Sequence, residues 1–272
     1  MEKFVLITGG AGGIGLAITK HLAENGFKVF CADINLYKGI SNGNIIPLIM
    51  DVTKPDSINA ALEIIKQYTS TLYAVINNAG IFFMCSMVEV EEERLCRILD
   101  INLMGMFRVN KAAIPLLKSN YSKIINISSD IAQYSSAPFN GPYVISKNAV
   151  EVYSDALRRE LSLLGIPVIK IRPGAFKTGL LDGVTKDFES LSKTTTYFKN
   201  ELKNMNKLMA RELNKTNNPE LLAALILSIL KKKKPKHVYR IKNSRQLKLL
   251  GLLPEKIQDM LYSWVLGKKV LR

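Results

Sequence analysis

The stretch Phe4-Val5-Leu6-Ile7-Thr8-Gly9-Gly10-Ala11-Gly12-Gly13-Ile14-Gly15 decides how the rest of the chain is read. Four apolar residues ended by a glycine cluster read as a short buried strand, and the pattern from Ile14 to Asn25 reads as a helix. A glycine loop that leaves a strand and opens a helix can turn tightly and let its backbone approach a pyrophosphate. The helix N-terminus adds donors and positive potential. Gly9, Gly13, Ile14 and Gly15 are the candidate loop contacts; taken alone, the glycines also fit a plain tight turn. The next apolar run, Val29–Ala32, ends at Asp33, 18 residues after Gly15. A carboxylate there can accept both ribose hydroxyls of NAD and would repel a 2′-phosphate. Position 12 is Gly, not Arg or Lys, so no loop cation awaits that phosphate. NAD is expected in preference to NADP.

Outward from this loop the same alternation repeats. Ile45–Ile49, Leu72–Ile76, Lys123–Ile127 and Pro167–Ile171 read as further strands, with a seventh at Val238–Ile241. Helical patterns lie between them at Pro55–Tyr68, Glu91–Leu117 and Val144–Leu164. Short continuous apolar strands alternating with helices imply an α/β fold, with a doubly wound parallel sheet of about seven strands covered on both faces. Residues 1–245 are read as a single NAD-binding domain. The polar, Lys- and Thr-rich stretch 179–216 is a helical insertion over the substrate, and 246–272 an amphipathic, basic helical extension.

The chain has 272 residues and a formal net charge of +15. The excess is localised: residues 1–185 hold 18 basic and 16 acidic side chains, and residues 186–272 hold 20 and 7. A nucleic-acid partner is therefore not expected, since no recognition motif accompanies the charge. Cys31, Cys85 and Cys96 are too scattered for a disulfide framework or zinc cage, and His21 and His237 stand alone, so no metal is expected. No window reaches the roughly 18 apolar residues of a spanning helix, and the N-terminus lacks a secretory h-region. The expected location is the cytoplasm, with contact to a membrane surface as an option.

Tyr143 and Lys147 are four apart on one helical face. An ammonium beside a phenol favours the phenolate and lowers the tyrosine pKa from its usual value near 10, which makes the pair a plausible acid/base unit. Seven motifs then stand in register. They are Thr8-Gly9 through Gly15, Asp51-Val52, Asn77-Asn78-Ala79-Gly80, Asn102 in Asp100-Ile101-Asn102, Asn126-Ile127-Ser128-Ser129, Tyr143-x-x-x-Lys147 and Pro173-Gly174 through Thr178. In these the chain resembles the short-chain dehydrogenase/reductase family over nearly all of residues 1–245, which implies a Rossmann-like fold.

The resemblance implies roles. Asp51 and Val52 would contact the adenine, and Asn78, Ala79 and Gly80 would line the cofactor beside the central strands. Pro173 and Gly174 would contact the cofactor, and Thr178 would hold the nicotinamide carboxamide. Ser129 would hydrogen-bond the substrate oxygen, Tyr143 would exchange a proton with it, and Lys147 would bind the ribose and depress the Tyr143 pKa. Asn102 would hold a water linking Lys147 to solvent; its other reading is a helix-internal residue that fixes a backbone bend. Ser129 lies 14 residues before Tyr143, about one more than is usual in the family, and Asp130-Ile131-Ala132 replaces a Gly-containing continuation. Ser128 is the second candidate. The family also implies a homodimer or homotetramer through the helices carrying Leu103–Leu117 and Val144–Leu164.

Phe82, Phe139, Phe176 and Leu180 are the candidate substrate-lining residues, with Tyr134, Leu181, Phe188, Tyr197, Phe198, Met205 and Met209 nearby in sequence. Apolar and Met-rich segments beside a cleft fit an apolar substrate. Val150 to Leu161 and Arg172 to Thr178 look like the hydroxysteroid and retinol dehydrogenase branch, which implies a secondary alcohol or ketone of a steroid, bile acid or other lipid. A 3-oxoacyl reductase docking an acidic carrier protein is the alternative, weakened by Asp33. A non-catalytic dinucleotide sensor is a third, weakened by the joint presence of Asn102, Ser129, Tyr143 and Lys147. In the tail, Lys231 to Lys234 are expected to end a helix opened by Pro219. A helix begun by Pro254 carries Ile257, Leu261, Trp264 and Val265 on one face. It can fold back over a cleft or lie on a membrane surface.

Overall fold

The computed structural model describes residues 2–36, 39, 43–205 and 216–267, apart from the side chains of 179–182. Seven parallel strands form one sheet: β1 (Phe4–Thr8), β2 (Lys28–Asp33), β3 (Ile45–Ile49), β4 (Ala74–Asn77), β5 (Lys123–Ile127), β6 (Val168–Pro173) and β7 (Val238–Ile241). Their spatial order is β3-β2-β1-β4-β5-β6-β7. All seven expected strands are present; three keep their expected bounds, and the ends of the other four move by one or two residues. The direction of winding reverses between β1 and β4, and in open α/β sheets ligands bind outside the strand C-termini at that point.

Alternation along each strand sorts the core into two layers. Val5 and Ile7 face α1 (Gly13–Glu24) and α8 (Glu220–Lys231), with Ile18, Leu22, Leu222 and Ile226. Phe4 and Leu6 face the opposite layer, with Ile58 and Ile65 of α2 (Pro55–Tyr68), Val109 of α4 (Met106–Ala113) and Leu161 of α5 (Gly141–Ser162). Both faces of the sheet are thus covered, which is why the strands read as unbroken apolar runs.

The expected helix Glu91–Leu117 is a continuous helical path in four pieces. α3 (Glu92–Leu99) passes into a π-helical turn at Asp100–Gly105, then α4, then a 3₁₀ turn at Ile114–Leu116. π turns mark places where a helix departs from regular bonding, frequently at functional sites. A side chain at Gly105 would press on Val52 Cγ2, 2.6 Å from its Cβ, so the glycine lets the turn lie against the loop after β3.

The segment after β6 contains α6 (Gly179–Thr194) and a helix α7 over residues 199–205. Val184, Phe188, Leu191 and Leu202 make a small separate cluster with Met84 and Phe139, outside the two main layers. Beyond β7 come α9 (Arg245–Leu250) and α10 (Glu255–Val265). Pro219 and Pro254 each stand at the N-cap, one residue before the helical positions expected for them. Among the described residues no helix is long and apolar enough to cross a membrane.

Candidate active site

The glycine loop closes the C-terminal end of β1. Gly9 and Gly13 have φ of +63° and +50°, a region that side chains rarely adopt. A Cβ at Gly15 would overlap the Gly9 carbonyl oxygen, and one at Gly9 would lie 2.9 Å from Ala79 Cα. The N-cap of α1, Gly12, makes no side-chain cap and faces open space. Ile14 is partly buried against the α1–α8 layer.

The neighbouring segments hold this loop in place. Asn78 Nδ2 donates to the carbonyls of Thr8 (3.2 Å) and Gly9 (3.0 Å), and the Asn78 and Ala79 amides donate to Thr8 Oγ1. Asp33 Oδ2 accepts from the Ala11 amide at 3.0 Å. The two carboxylate oxygens offer about four acceptor sites, so this bond leaves room for ribose hydroxyls. Asp51 accepts from the Thr53 hydroxyl at 2.7 Å, which holds its carboxyl below the usual range. Val52 is a core residue packed with α2 and α4. Thr178, the N-cap of α6, faces Gly13 across the cleft, 3.3 Å from where a Gly13 Cβ would be. Pro173 ends β6. Gly174 faces away from this opening, since its Cβ would overlap the Lys242 carbonyl.

At the C-terminal ends of β4 and β5 the structure brings together Gly80, Asn102, Ser129, Tyr143 and Lys147. Asn102 is fully buried in the π turn. Its Oδ1 accepts from the Ile81 amide (2.8 Å), and its Nδ2 donates to the Ile81 carbonyl and Ser146 Oγ (both 3.0 Å). The side chain therefore clamps the segment after β4 to α5. A Cβ at Gly80 would sit 3.1 Å from Asn102 Oδ1 and 3.8 Å from Lys147 Nζ. Lys147 is buried and donates to the Ile127 carbonyl at 3.0 Å. Burial pulls its pKa down to about 8, against a smaller upward pull from Glu151.

Ser129 lies beside Tyr143, while its neighbour Ser128 lies beside Glu151. Ser129 is in an extended conformation, so adjacent side chains point to opposite sides. The Tyr143 pKa moves against the sequence expectation. Burial pushes the phenol up to about 12, the nearby Ser129 offsets only part of this, and Asp130 adds to the rise. Lys147 lies 5.8 Å from the ring centre and spends a hydrogen bond on Ile127, so its charge does not outweigh desolvation.

Phe82 packs edge-on against Tyr143, with ring centres 4.9 Å apart. Phe82 and Phe139 belong to the apolar cluster of the α6–α7 segment, where Phe139 also meets Phe198 at 5.3 Å. Phe176 is not part of this group: it is buried in the main layer with α1 and α8. The side chains of Leu180 and Leu181, and all of Met209, lie outside the described residues.

A polar network missed in the sequence runs beneath the site. Glu151, one turn after Lys147, is bound by Arg172 through Nε (3.0 Å) and Nη2 (2.8 Å) and by Lys170 at 2.9 Å. Arg172 and Arg240 both donate to Gln133 Oε1 at 2.6 Å, which braces the segment just after Ser129. The visible signal was two cations, Lys170 and Arg172, inside an otherwise apolar strand. Buried charges require partners.

The model of the short chain dehydrogenase family matches residues 3–189. The chain belongs to that family. Relatives include retinol dehydrogenase 7 of Mus musculus, 34% identical over 66% of this chain and 58% of that protein. Another is 17-beta-hydroxysteroid dehydrogenase type 6 of Homo sapiens, 31% identical over 71% of this chain and 62% of that protein. The match thus spans about three fifths of these relatives' length. In fold, a short-chain dehydrogenase from Streptomyces avermitilis superposes with a TM-score of 0.76 at 22% identity, over 97% of both chains.

Proposed function

We propose that the protein is an NAD-dependent oxidoreductase that interconverts a secondary alcohol and a ketone on an apolar substrate, of the hydroxysteroid or bile-acid kind. The observation that carries this reading is the placement of Ser129 beside Tyr143, with buried Lys147 5.8 Å from the tyrosine ring centre, next to a glycine loop. The similarity to retinol and 17-beta-hydroxysteroid dehydrogenases supports the substrate class.

The residues fit a dinucleotide. Gly9 and Gly13 take backbone shapes that keep side chains out of the cradle, and α1 presents an uncapped N-terminus. Gly15, Asp33, Asp51, Val52, Asn78, Ala79, Gly80, Pro173 and Thr178 surround it, while Gly174 serves by letting β7 approach. NAD, when bound, supplies the hydride acceptor. Ser129 Oγ and Tyr143 Oη would hold the substrate oxygen, and Tyr143 would take its proton. Lys147 would favour the phenolate and orient the ribose. The high phenol pKa keeps Tyr143 protonated until a filled site brings added positive charge near it. Asn102, whose two amide protons and one oxygen lone pair are already bonded, would act by fixing the segment at Ile81. Phe82 and Phe139 would line the substrate side.

The same reading includes a homo-oligomer, supported by exposed apolar residues on the π turn, α4 and α5: Met104, Phe107, Ile145 and Val152. It includes work in the cytoplasm. The decisive test is Tyr143→Phe. Turnover of hydroxysteroids should fall by about 10²–10⁴-fold, while NADH binding, followed by its fluorescence, stays unchanged. Surviving turnover would overturn the assigned chemistry, and a panel of steroids, bile acids and small polar ketones tests the substrate class.

A further inference from the structure

The C-terminal helices are built inside out. On α10 the side chain turned into the protein is polar: Gln258 is buried and donates to the Leu253 carbonyl at 2.8 Å. At about 100° per residue, Ile257, Met260, Leu261, Trp264 and Val265 share one arc of about 140°. Glu255, Lys256, Asp259 and Ser263 occupy the other side. All five apolar residues are exposed, Trp264 by 75%. Leu249 of α9 and Leu252 and Leu253 of the connecting turn are exposed as well, Leu252 by 74%. Single exposed apolar residues need no explanation, but eight within 17 residues of chain mark an interaction surface.

This surface adjoins the substrate side of the site. A side chain at Gly251 would overlap the Tyr134 ring, and the Ser244 amide donates to Asp130, next to Ser129. Leu266 packs on the α6–α7 cluster, and its carbonyl accepts from Asn204 of α7 at 3.0 Å. The flanking charge is net basic: Lys242, Arg245, Lys248 and Lys256 are exposed beside Glu255 and Asp259. The Lys231–Lys234 run is a separate feature, since it precedes β7 and thus lies towards the opposite end of the sheet from α9.

We propose that the apolar face of α9 and α10 docks on an anionic lipid bilayer, which puts the mouth of the substrate cleft at the bilayer surface. A Trp and Leu face rimmed by lysines is the chemistry of an interfacial helix. A second copy of the chain has another apolar face available on α4 and α5. The advantage of docking rests on the lipid-like substrate proposed above; the docking itself does not.

Trp264 is the sole tryptophan, so its emission reports directly on this face. The full chain is titrated with vesicles of phosphatidylcholine and phosphatidylserine, and separately of phosphatidylcholine alone. A blue shift and co-sedimentation with the anionic vesicles, weakened by salt, are expected. Leu252→Glu with Leu261→Glu keeps the probe and should weaken binding by about tenfold per residue. Turnover of a water-soluble substrate without vesicles should stay unchanged. No shift with anionic vesicles, or a shift that the double variant retains, overturns the proposal. So does a double variant that changes the sedimentation coefficient while wild type ignores vesicles, because the face is then a contact between copies. Fluorescence needs no catalysis, so failure of docking and failure of the enzymatic reading are read out separately.

Discussion

The two sides of Tyr143 are held by different forces. Towards β1, amides and carboxylates fix the frame: Asn78 and Asp33 bond the backbone of Thr8, Gly9 and Ala11, and Asn77 Nδ2 donates to the side-chain oxygens of Asn110 and Asn126 at 2.7 and 2.9 Å. Towards α6 and α7 the contacts are a small aromatic and aliphatic cluster with a few polar latches. Glu89 is one, accepting from the Thr196 amide at 2.6 Å and the Thr195 hydroxyl at 2.8 Å. The Arg94–Asp187 pair at 3.5 Å is another. Directional bonds hold one shape, whereas apolar contacts permit repacking. The first side suits a ligand of fixed outline and the second suits a choice among substrates.

Substitutions can break this contrast, and the largest effect is expected in the polar frame. Glu151→Gln leaves Lys170 and Arg172 without their shared carboxylate and should cost about 3–5 kcal/mol in denaturant unfolding. Burial pushes the Glu151 carboxyl up, but the bonds from Arg172 and Lys170 bring it below its ordinary value. Its stabilisation is therefore present above the unfolded pKa of about 4.3 and lost as pH falls through the folded value. The gap between wild type and variant should close in acid. Equal stability at pH 7 would show that the network is not a brace.

Gly15→Ala comes next, because its methyl would overlap the Gly9 carbonyl. We expect a loss of about 2–3 kcal/mol with NADH binding lowered at least as strongly. Lys147→Met should go the other way at neutral pH. Burial costs the folded chain a charged lysine, so the variant should gain about 1–3 kcal/mol while turnover disappears. The sign follows from a folded pKa of about 8 against 10.5. The cost is full below pH 8 and fades as pH rises towards 10.5, so the gain should shrink over that window. The smallest change in stability is expected on the apolar side. Phe82→Ala should cost about 1 kcal/mol, since the ring is only partly buried, yet raise KM for an apolar substrate by about tenfold with little change for NAD. A matching rise in the KM for NAD would show that the two sides are not separate.

The same contrast governs what the sequence made legible. The cofactor side depends on backbone shape, and backbone shape demands residue types: Gly9 and Gly13 for positive φ, and a short acid at Asp33. The strands were readable because both sheet faces are covered. On the substrate side any large apolar residue serves. Phe82 and Phe176 look alike in sequence, but one meets Tyr143 and the other joins the main core. The Tyr143 pKa runs opposite to what the Tyr143–Lys147 spacing implies, because burial, a long-range property, outweighs a neighbour four residues away. The basic tail read as one feature, yet β7 separates its lysine run from its amphipathic helix.

The strand order has a consequence for how the chain is made. β1 lies inside the sheet, β2 and β3 extend it on one flank, and β4 to β7 extend it on the other. Each strand leaving the ribosome therefore meets an open edge, and none has to be threaded between strands already paired. A parallel sheet is a slow topology because its contacts are distant in sequence. Growth from the interior outward lets domains of this kind begin to fold as they are synthesised. The glycine loop, Tyr143 and Lys147 are all in hand before β7, and the apolar face of α10 is the last described helix to emerge.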